Sequence, residues 1–247
     1  FTEAFSRLIG EWCGENGLQL TGHVLHEDDL IRQTPISGAV MRFYEHMQAP
    51  GIDLLTEHWG IFNVAKQCTS MAHQFGRERR LTETYGCTGW DFPFAGHKAL
   101  GDWQYAMGIN YRCQHLAWYS MAAEAKRDYP ASISCQSPWH QHFSAVEDYF
   151  GRLGAALSEG EESRRLLVIH PVESTFGWLL PFHGSYPFPK ESEEELLALT
   201  RLTNPILASN IDFDFGDEEI MARHGSVQAN GDLRVGQAAY QSVLVPR

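Results

Sequence analysis

The chain has 247 residues, of which 43% are hydrophobic and 20% charged, a balance typical of soluble globular proteins with one large domain or two smaller ones. The formal net charge of −12 argues against a nucleic-acid partner, and no apolar run approaches the roughly 18 residues of a membrane span. Five widely spaced cysteines without a C-x-x-C pair indicate free thiols in a reducing compartment, so we expect a cytoplasmic location.

The chain opens with a predicted helix, because apolar residues recur at helical spacing between Phe1 and Trp12. A strand is predicted next, over residues 18–23. A helix that feeds a strand is half of a βα unit, and no initiator Met precedes Phe1. We therefore expect earlier strands ahead of Phe1, which leaves a signal peptide there open.

Strands and amphipathic helices then alternate as far as residue 157. Such alternation predicts a parallel sheet, and four strands are half of an eight-stranded (β/α)8 TIM barrel. The predicted strands after the first cover residues 52–55, a run that ends at Glu83, and residues 108–115; the predicted helices cover residues 37–47, 63–75, 98–107 and 146–157.

The pattern changes after a polar, acidic stretch at residues 158–163, which we interpret as a domain boundary. A continuous apolar run, residues 165–170, is typical of a strand buried on both faces. A capping box at Ser192 and Glu195 predicts a helix start. Further strands are predicted at 211–215, ahead of an acidic turn, and at 241–246. These elements indicate a three-layer α/β domain over residues 164–247, after a barrel domain over residues 1–160.

Glu83 is the leading catalytic candidate. It ends a predicted strand and is followed by a loop rich in Gly and Trp, which is where barrel enzymes place a catalytic acid or nucleophile. The four predicted strand ends all deliver polar or aromatic groups, and we expect them to meet on one face. These groups are His23, His26, Glu27, Asp28 and Asp29; Glu57, His58 and Trp59; Trp90 and Asp91; and Gln114, His115, Trp118 and Tyr119.

Metal binding and thiol chemistry are alternatives at these loops. His23, His26 and Glu27, with Glu57 and His58, offer zinc-type ligands, although the spacing matches no tight zinc signature. The oxygen-rich run Glu27 to Asp29 suits calcium better. A third interpretation is a loop that hydrogen-bonds sugar hydroxyls. Cys87 lies beside Glu83, but no partner base is evident in the motif, which favours a packing role.

The sequence resembles bacterial glycoside hydrolases of the α-L-rhamnosidase-like kind, family 106 and its relatives. The resemblance covers most of residues 18–157, and the tail, residues 165–246, is similar to the flavodoxin-like, amidotransferase-type domain that follows the barrel there and in family 42 β-galactosidases. The residues that carry it are Leu81 to Asp91, Gly101 to Gln104, Gly108 to Asn110, Gln114 to Leu116, residues 126–130 and 136–139, and Thr21 to His23 with Glu27.

The resemblance implies a specific place for Glu83. In related barrels one catalytic glutamate lies on strand seven and the other on strand four. The strand after Glu83 precedes the helix that closes the barrel, so it is the eighth and Glu83 lies on the seventh. Strand four would then precede Phe1, so the chain is expected to be a piece that lacks the second carboxylate. Glu27 and Glu57 are expected to bind sugar or metal instead.

The resemblance also implies an activity: hydrolysis of O-glycosidic bonds, with α-L-rhamnosides as the expected substrates and β-galactosides as the alternative. A non-catalytic carbohydrate-binding barrel or an inactive fragment is the competing hypothesis, and retention or inversion stays open. No cofactor beyond Ca²⁺ is suggested, and a homo-oligomer of the full-length protein is a further expectation. The expected substrate-binding residues are His23, Glu27, Glu57, His58, Trp90, Asp91, Gln114, His115 and Trp118, with Glu83 catalytic.

Overall fold

The computed structural model describes residues 2–57, 60–124, 129, 133–179 and 190–246. The first part of the chain alternates helices with parallel strands, after an opening π-helical segment at Thr2–Arg7. Its elements are α1 (Leu8–Glu15), β1 (Thr21–Gly22), α2 (Leu30–Ile36), α3 (Val40–Tyr44), β2 (Ala49–Asp53), α4 (Phe62–Phe75), β3 (Leu81–Thr84), α5 (Phe94–Ala106), β4 (Tyr111–Gln114) and α6 (Ser144–Ser158).

The second part combines a parallel sheet with a small antiparallel one. The parallel sheet has the order β10-β5-β6, and β7, β8 and β9 form an antiparallel meander. The elements are β5 (Leu166–His170), α7 (Val172–Leu179), α8 (Lys190–Ala208), β6 (Asp214–Asp217), α9 (Glu218–His224), β7 (Gly225–Val227), β8 (Leu233–Val235), β9 (Ala238–Tyr240) and β10 (Ser242–Leu244). None of the helices in the described ranges is long and apolar enough to cross a membrane.

The first sheet has the strand order β1-β2-β3-β4, with every neighbouring pair parallel. The chain thus forms a mixed α/β fold with a curled, half-barrel sheet. Parallel strands bring their carboxyl ends to one edge, and the register places Asp53 of β2 directly beside Glu83 of β3. The loops that follow the four strands therefore start from the same edge of the sheet.

Gly51 allows β1 to approach β2 closely. A Cβ atom at this position would lie 2.6 Å from the carbonyl oxygen of Gly22 and 3.0 Å from a methyl group of Leu81. Any side chain would push β1 away from the sheet. Because His23 directly follows β1, the missing side chain at Gly51 also determines where His23 lies.

Helix α4 packs against both parallel sheets. Ile52 from the first sheet and Leu167 and Phe215 from the second belong to one buried hydrophobic cluster, together with Cys68 of α4. Polar contacts add to the apolar packing, since the backbone nitrogen of Phe215 donates to the Ser70 hydroxyl at 2.8 Å. The two sheets thus share one core, and the domain boundary near residue 160 stays a prediction.

A buried ionic network centred on Asp214 links α4 to the second sheet. The Asp214 carboxylate is fully buried and accepts hydrogen bonds from Arg164 at 2.8 Å, His73 at 2.5 Å and the hydroxyl of Tyr240 at 2.7 Å. Burial opposes its ionisation, but the bond from His73 and the charge of Arg164 outweigh that effect and lower the pKa of Asp214 to about 2. A full set of partners makes a buried carboxylate tolerable here.

Several element predictions were wrong in detail. The first strand is two residues long rather than six, and the predicted helix over 37–47 is reduced to α3. The unpredicted α2 precedes it, because the carboxylate of Asp29 caps its amino end, accepting from the backbone nitrogens of Ile31 at 2.8 Å and Arg32 at 3.2 Å. Asp29 therefore serves the backbone of α2.

The second part also differs from the predictions. The expected acidic turn after β6 is helix α9, because Asp217 caps it and accepts from the backbone nitrogens of Glu219 and Ile220. Helix α8 already includes Lys190, so Ser192 is not its cap. The meander of β7 to β9 was not predicted; its two turns contain Gly231 and Gly236, both with positive φ, which glycine adopts without strain.

Candidate active site

The clearest side-chain contact at the carboxyl edge of the first sheet joins Glu83 to His23. Nε2 of His23 lies 2.6 Å from Oε2 of Glu83, and both side chains are partly exposed. Glu83 lies in β3, and His23 directly follows β1, so the strand β2 separates the elements that carry the pair. The structure thus brings together two of the residues that the sequence analysis singled out.

Asp53 joins this pair, although the sequence analysis did not select it. It is the last residue of β2, and its Oδ2 lies 3.9 Å from Nδ1 of His23. One ligand-type atom from each of His23, Asp53 and Glu83 lies within 4.8 Å of the other two. The signal that selected Glu83, a carboxylate at the carboxyl end of a strand, applies equally to Asp53. The predicted strand ran on to Leu55, which hid that signal.

The imidazole of His23 has acceptors on both sides. Nδ1 lies 2.8 Å from the carbonyl oxygen of Val24, and Nε2 faces Glu83. Burial of the ring opposes protonation, but the bond to Val24 and the negative charge of Asp53 outweigh it. The pKa of His23 is therefore raised above its ordinary value of 6.5.

The carboxyl group of Asp53 also titrates above its ordinary range. Partial burial is the main cause of its raised pKa, and the charge of Glu83 adds to it, while His23 and His115 act in the opposite direction. His23 and Asp53 are therefore coupled by charge, so a change at one of them alters proton binding at the other.

Glu27 is almost fully buried and adjoins this cluster, because the backbone nitrogen of Asp53 lies 3.4 Å from its carboxyl oxygens. Its Oε1 accepts from the hydroxyl of Tyr44 at 2.7 Å, and its backbone carbonyl accepts from Asn63 and Gln67, each at 2.8 Å. Burial raises the pKa of Glu27 to about 8, so it carries a proton at neutral pH. The predicted sugar ligand thus holds α3 and α4 in place and offers almost no surface to a substrate.

The predicted calcium ligands do not gather. Asp29 caps α2, and the carboxyl group of Glu27 is used by Tyr44. Among the described residues, the one group of three or more potential metal ligands is His23 with Asp53 and Glu83. Donor atoms around one tetrahedral zinc ion lie about 3.4 Å apart, since each bond is about 2.1 Å. The 2.6 Å contact is shorter and fits a hydrogen bond instead.

His115 lies beside the loop that follows β3. Its backbone nitrogen donates to the carbonyl of Thr84 at 2.7 Å, and a Cβ atom on Gly86 would lie 2.8 Å from its ring. Nδ1 of His115 is buried and has no hydrogen-bond partner among the described residues. Tyr85 and Cys87 adopt φ values of 69° and 60°, which are unfavourable for residues with side chains and are often found at functional sites.

Two tryptophans pair across neighbouring loops. The rings of Trp90, after β3, and Trp118, after β4, have centroids 5.0 Å apart at an angle of 41°, and both side chains are partly exposed. Gln114, in contrast, donates to Glu147 of α6 at 2.8 Å. The pair offers a broad apolar face of the kind on which planar or ring-shaped ligands pack.

The other predicted site residues are dispersed. Glu57 and Asp91 are exposed, and no described contact joins either to Glu83. His58 lies outside the described residues. A cavity of about 680 Å³ lies at the opposite, amino-terminal end of β3, where Arg77, Arg80 and Arg164 line it. No candidate catalytic residue contributes to that cavity, so the candidate site is the open edge around Glu83.

Comparison with known proteins identifies the fold. The structure is similar to that of a rhamnosidase from Novosphingobium sp. PP1Y, with a TM-score of 0.68 and 16% sequence identity over 96% of this chain and 22% of that chain. A GH42 beta-galactosidase, Gan42B, gives a TM-score of 0.47 and 14% identity over 83% of this chain and 31% of that chain. No family model and no curated protein matches the sequence.

The likeness to the rhamnosidase defines a class of fold. The chain has a glycoside-hydrolase-like α/β fold and spans about a fifth of the length of the rhamnosidase that it matches. At 16% identity the likeness concerns the fold alone. Function must therefore be argued from the residues at the carboxyl edge of the first sheet.

Proposed function

We propose that the chain is part of a glycoside hydrolase in which Glu83 is a catalytic carboxylate. One observation carries the proposal: Glu83 lies at the carboxyl edge of a half-barrel sheet, partly exposed and bound to His23 through Oε2. Barrel enzymes assemble their active sites at this edge. Among the described residues no hydrogen bond reaches Oε1 of Glu83, so this oxygen is available for a substrate or a water molecule.

The chemistry requires two carboxyl groups. One donates a proton to the glycosidic oxygen as the bond between that oxygen and the anomeric carbon breaks. The other, as a carboxylate, either bonds to the anomeric carbon or takes a proton from the attacking water. An exposed glutamate with one free oxygen suits either of the two roles.

We do not assign the second role to Asp53, because it shares the imidazole of His23 with Glu83. An oxygen of Asp53 and an oxygen of Glu83 lie within 4.8 Å of each other. Carboxyl pairs that act across a glycosidic bond are separated by about 5–5.5 Å in retaining enzymes and by about 6.5–9.5 Å in inverting ones. His23 contacts both carboxyl groups, with Nδ1 3.9 Å from Asp53 and Nε2 2.6 Å from Glu83. We propose that the partner carboxylate belongs to a part of the protein outside this chain.

The proposed substrates are α-L-rhamnosides, with β-galactosides as the alternative. The motif around Glu83 and Trp90 supports the first, and the contact between Trp90 and Trp118 supports a ring-shaped carbohydrate partner in general. Hydrolysis of aryl α-L-rhamnosides and aryl β-galactosides by the full-length protein separates the two. Release of the aryl group from neither sugar would count against glycosidase activity.

A carbohydrate-binding barrel without catalysis is the second candidate function. The pair of tryptophans favours it as much as it favours the enzyme, because such a pair binds sugars whether or not they react. The two functions differ at Glu83. Glu83→Gln abolishes turnover in an enzyme, whereas a binding module shows no turnover in either form and binds sugar equally well in both.

Three further proposals concern the rest of the molecule. The parallel strands β5, β6 and β10 have the spatial order second, first, third, which matches the beginning of the flavodoxin-like order and supports such a domain. Self-association of the full-length protein is a proposal that sedimentation analysis tests; among the described residues β1 and β4 are the edge strands of the first sheet. A calcium requirement, as the sequence suggests, is tested by measuring activity with EDTA and after adding Ca²⁺ back.

A further inference from the structure

The cavity at the amino-terminal end of β3 has the size of a small-molecule site. Its volume is about 680 Å³, and ligand sites commonly have volumes of about 300–1,000 Å³. Its wall combines the end of α4, the segment that leads into β3, the linker after α6 and part of the meander. The cavity lies at the end of β3 opposite to Glu83, so the proposed active site does not account for it.

His73, in the last turn of α4, presents one ring nitrogen to this cavity. Nδ1 bonds at 2.5 Å to the carboxylate of Asp214, whose pKa of about 2 keeps it ionised, so Nδ1 carries a hydrogen atom. The side chain of His73 is 18% exposed while that of Asp214 is fully buried, so the open part of the ring lies away from Nδ1. Among the described residues no group bonds to Nε2. Asp214 thus orients a histidine whose second nitrogen can bind a ligand.

Arg77 lines the same cavity and is a cation without an ion-pair partner in the described part of the chain. Its Nη2 donates to the backbone carbonyl of Glu45 at 3.1 Å, but its Nε is buried and has no hydrogen-bond partner there. The carboxylate of Glu45 is bound by Arg223 at 2.5 Å and by His224 at 2.9 Å. Burial lowers the pKa of Arg77, and no nearby carboxylate reverses this effect. An anion beside Arg77 would supply the missing partner.

The carboxylates of the cavity wall do not supply that partner. Glu162 contacts Arg80 at 2.9 Å and Arg164 at 2.7 Å, so its charge is balanced. Arg80 also lines the cavity, is only 8% exposed, and keeps a buried Nε that no described residue accepts from. The remaining acidic residues of the wall are either exposed or bonded within a turn of the meander: Glu78, Glu161 and Asp232. The buried part of the wall therefore has more N–H donors than acceptors.

We propose that this cavity is a second ligand site, which binds the phosphate or carboxylate group of a small molecule through Arg77 and His73. The guanidinium of Arg77 pairs with the oxyanion, a geometry that suits both phosphate and carboxylate. Nε2 of His73 donates a second hydrogen bond to the anion when the ring is protonated. The ligand would contact both α4 and the meander. The site does not depend on the proposed glycosidase activity.

Isothermal titration calorimetry of the full-length protein, at constant ionic strength, tests the site. The two probes are inorganic phosphate and D-glucuronate, which carry the two kinds of oxyanion, and at least one of them is expected to bind at millimolar concentration. The probe that binds more tightly identifies the preferred oxyanion. Glucose has the hydroxyl groups of a sugar but no oxyanion and should not bind. Equal binding of glucose, or binding of neither anion, would overturn the proposal.

Arg77→Gln determines whether the anion binds in this cavity. Loss of the guanidinium should weaken binding by about tenfold or more, because a charge-assisted hydrogen bond is lost. Arg152→Gln removes an exposed arginine of α6 that does not line the cavity, and its affinity should equal that of the natural protein. An unchanged affinity in Arg77→Gln, or the same loss in both variants, would contradict the site.

Thermal melting separates ligand binding from a structural role of Arg77. Without the anion, Arg77→Gln should melt no lower than the natural protein, since it loses a cation that has no ion-pair partner. The anion should raise the melting temperature of the natural protein but not that of Arg77→Gln. The same rise in both would overturn the proposal.

His73→Asn tests the second contact. The amide of Asn can still donate to Asp214, but it has no counterpart to Nε2, so the affinity for the anion should fall by about tenfold. Melting curves show whether the variant is folded at the assay temperature, and if it is not, Arg77→Gln still decides. Natural affinity in a folded His73→Asn would remove His73 from the site.

Discussion

His23 and Glu83 are 60 residues apart in the chain, yet their side chains meet at 2.6 Å. The contact exists because β1 and β3 flank β2 in a parallel sheet, so that the residues at their carboxyl ends share one edge. It places an imidazole whose pKa is raised beside a partly exposed glutamate. A change in the position of β1 should therefore alter the hydrogen bond that Glu83 makes with His23.

Gly51→Ala tests this dependence on strand position. The new methyl group would lie 2.6 Å from the carbonyl oxygen of Gly22, so β1 must move and His23 must move with it. We expect a loss of about 1–3 kcal/mol in stability and a weaker bond between His23 and Glu83. Chemical denaturation and the nitrogen shifts of His23 measure the two effects.

Gly151→Ala is the matched control for that experiment. Gly151 lies in helix α6, and a Cβ atom there meets no other atom within 4 Å. Alanine also favours the helix by about 1 kcal/mol, so this variant should be as stable as the natural protein or more so. Equal losses in both variants would contradict the role assigned to Gly51.

Glu27→Gln tests the buried acid. Folded Glu27 keeps its proton up to about pH 8, whereas its ordinary pKa is 4.5. The folded state therefore binds more protons between these values, and stability falls as the pH rises through them, by about 5 kcal/mol. Gln preserves the acceptor for Tyr44 and does not titrate.

We therefore expect Glu27→Gln to match the natural protein near pH 5 and to melt at a higher temperature near pH 9. Thermal melting across this range measures the difference. Glu159→Gln removes an exposed carboxylate and serves as the control, with parallel melting curves expected. The same steep loss of stability in Glu27→Gln would show that Glu27 is not the titrating group.

Asp214→Asn tests the network that links α4 to the second sheet. The amide loses the charge that partners Arg164 and His73, and removing one partner of a buried pair costs about 3–5 kcal/mol. The melting temperature should fall by roughly 6–20 °C. Asp148→Asn changes an exposed aspartate of α6 and should leave the melting temperature unchanged. A small effect of Asp214→Asn would mean that the network contributes little to the fold.

Trp118→Ala tests the aromatic pair in the full-length enzyme. Losing one ring removes a stacking contact of about 0.5–1.5 kcal/mol, so KM for the aryl glycoside should rise roughly 2- to 10-fold with little change in kcat. Tyr119→Ala removes a neighbouring, fully exposed ring and should change neither constant. An unchanged KM in Trp118→Ala would exclude the pair from the substrate site.

The sequence predicted the first sheet well, because alternating strands and amphipathic helices carry a strong periodic signal. The position of Glu83 followed from a rule about strand ends. Asp53 satisfies the same rule and was missed, because the predicted end of β2 lay two residues too late, at Leu55, and Glu57 was selected instead. Strand boundaries depend on hydrogen bonds to neighbouring strands, which local composition does not determine.

Burial was harder to predict than position. The sequence placed Glu27 among the substrate-binding residues, but its carboxyl group is buried and accepts a hydrogen bond from the hydroxyl of Tyr44. That contact depends on how α3 packs against the sheet, which no local motif reveals. The acidic run from Asp217 to Glu219 was interpreted as a turn, although an aspartate ahead of two glutamates is also a helix start.

The most direct test of the account is the turnover of Glu83→Gln in the full-length protein. Gln keeps the size of the side chain but loses the carboxylate, so kcat for an aryl α-L-rhamnoside, or for the β-galactoside if that is the substrate, should fall about 10²- to 10⁴-fold with little change in sugar binding. Glu57→Gln, measured beside it, should raise KM more than it lowers kcat. Near-natural turnover by Glu83→Gln would contradict the assignment of Glu83 as the catalytic carboxylate.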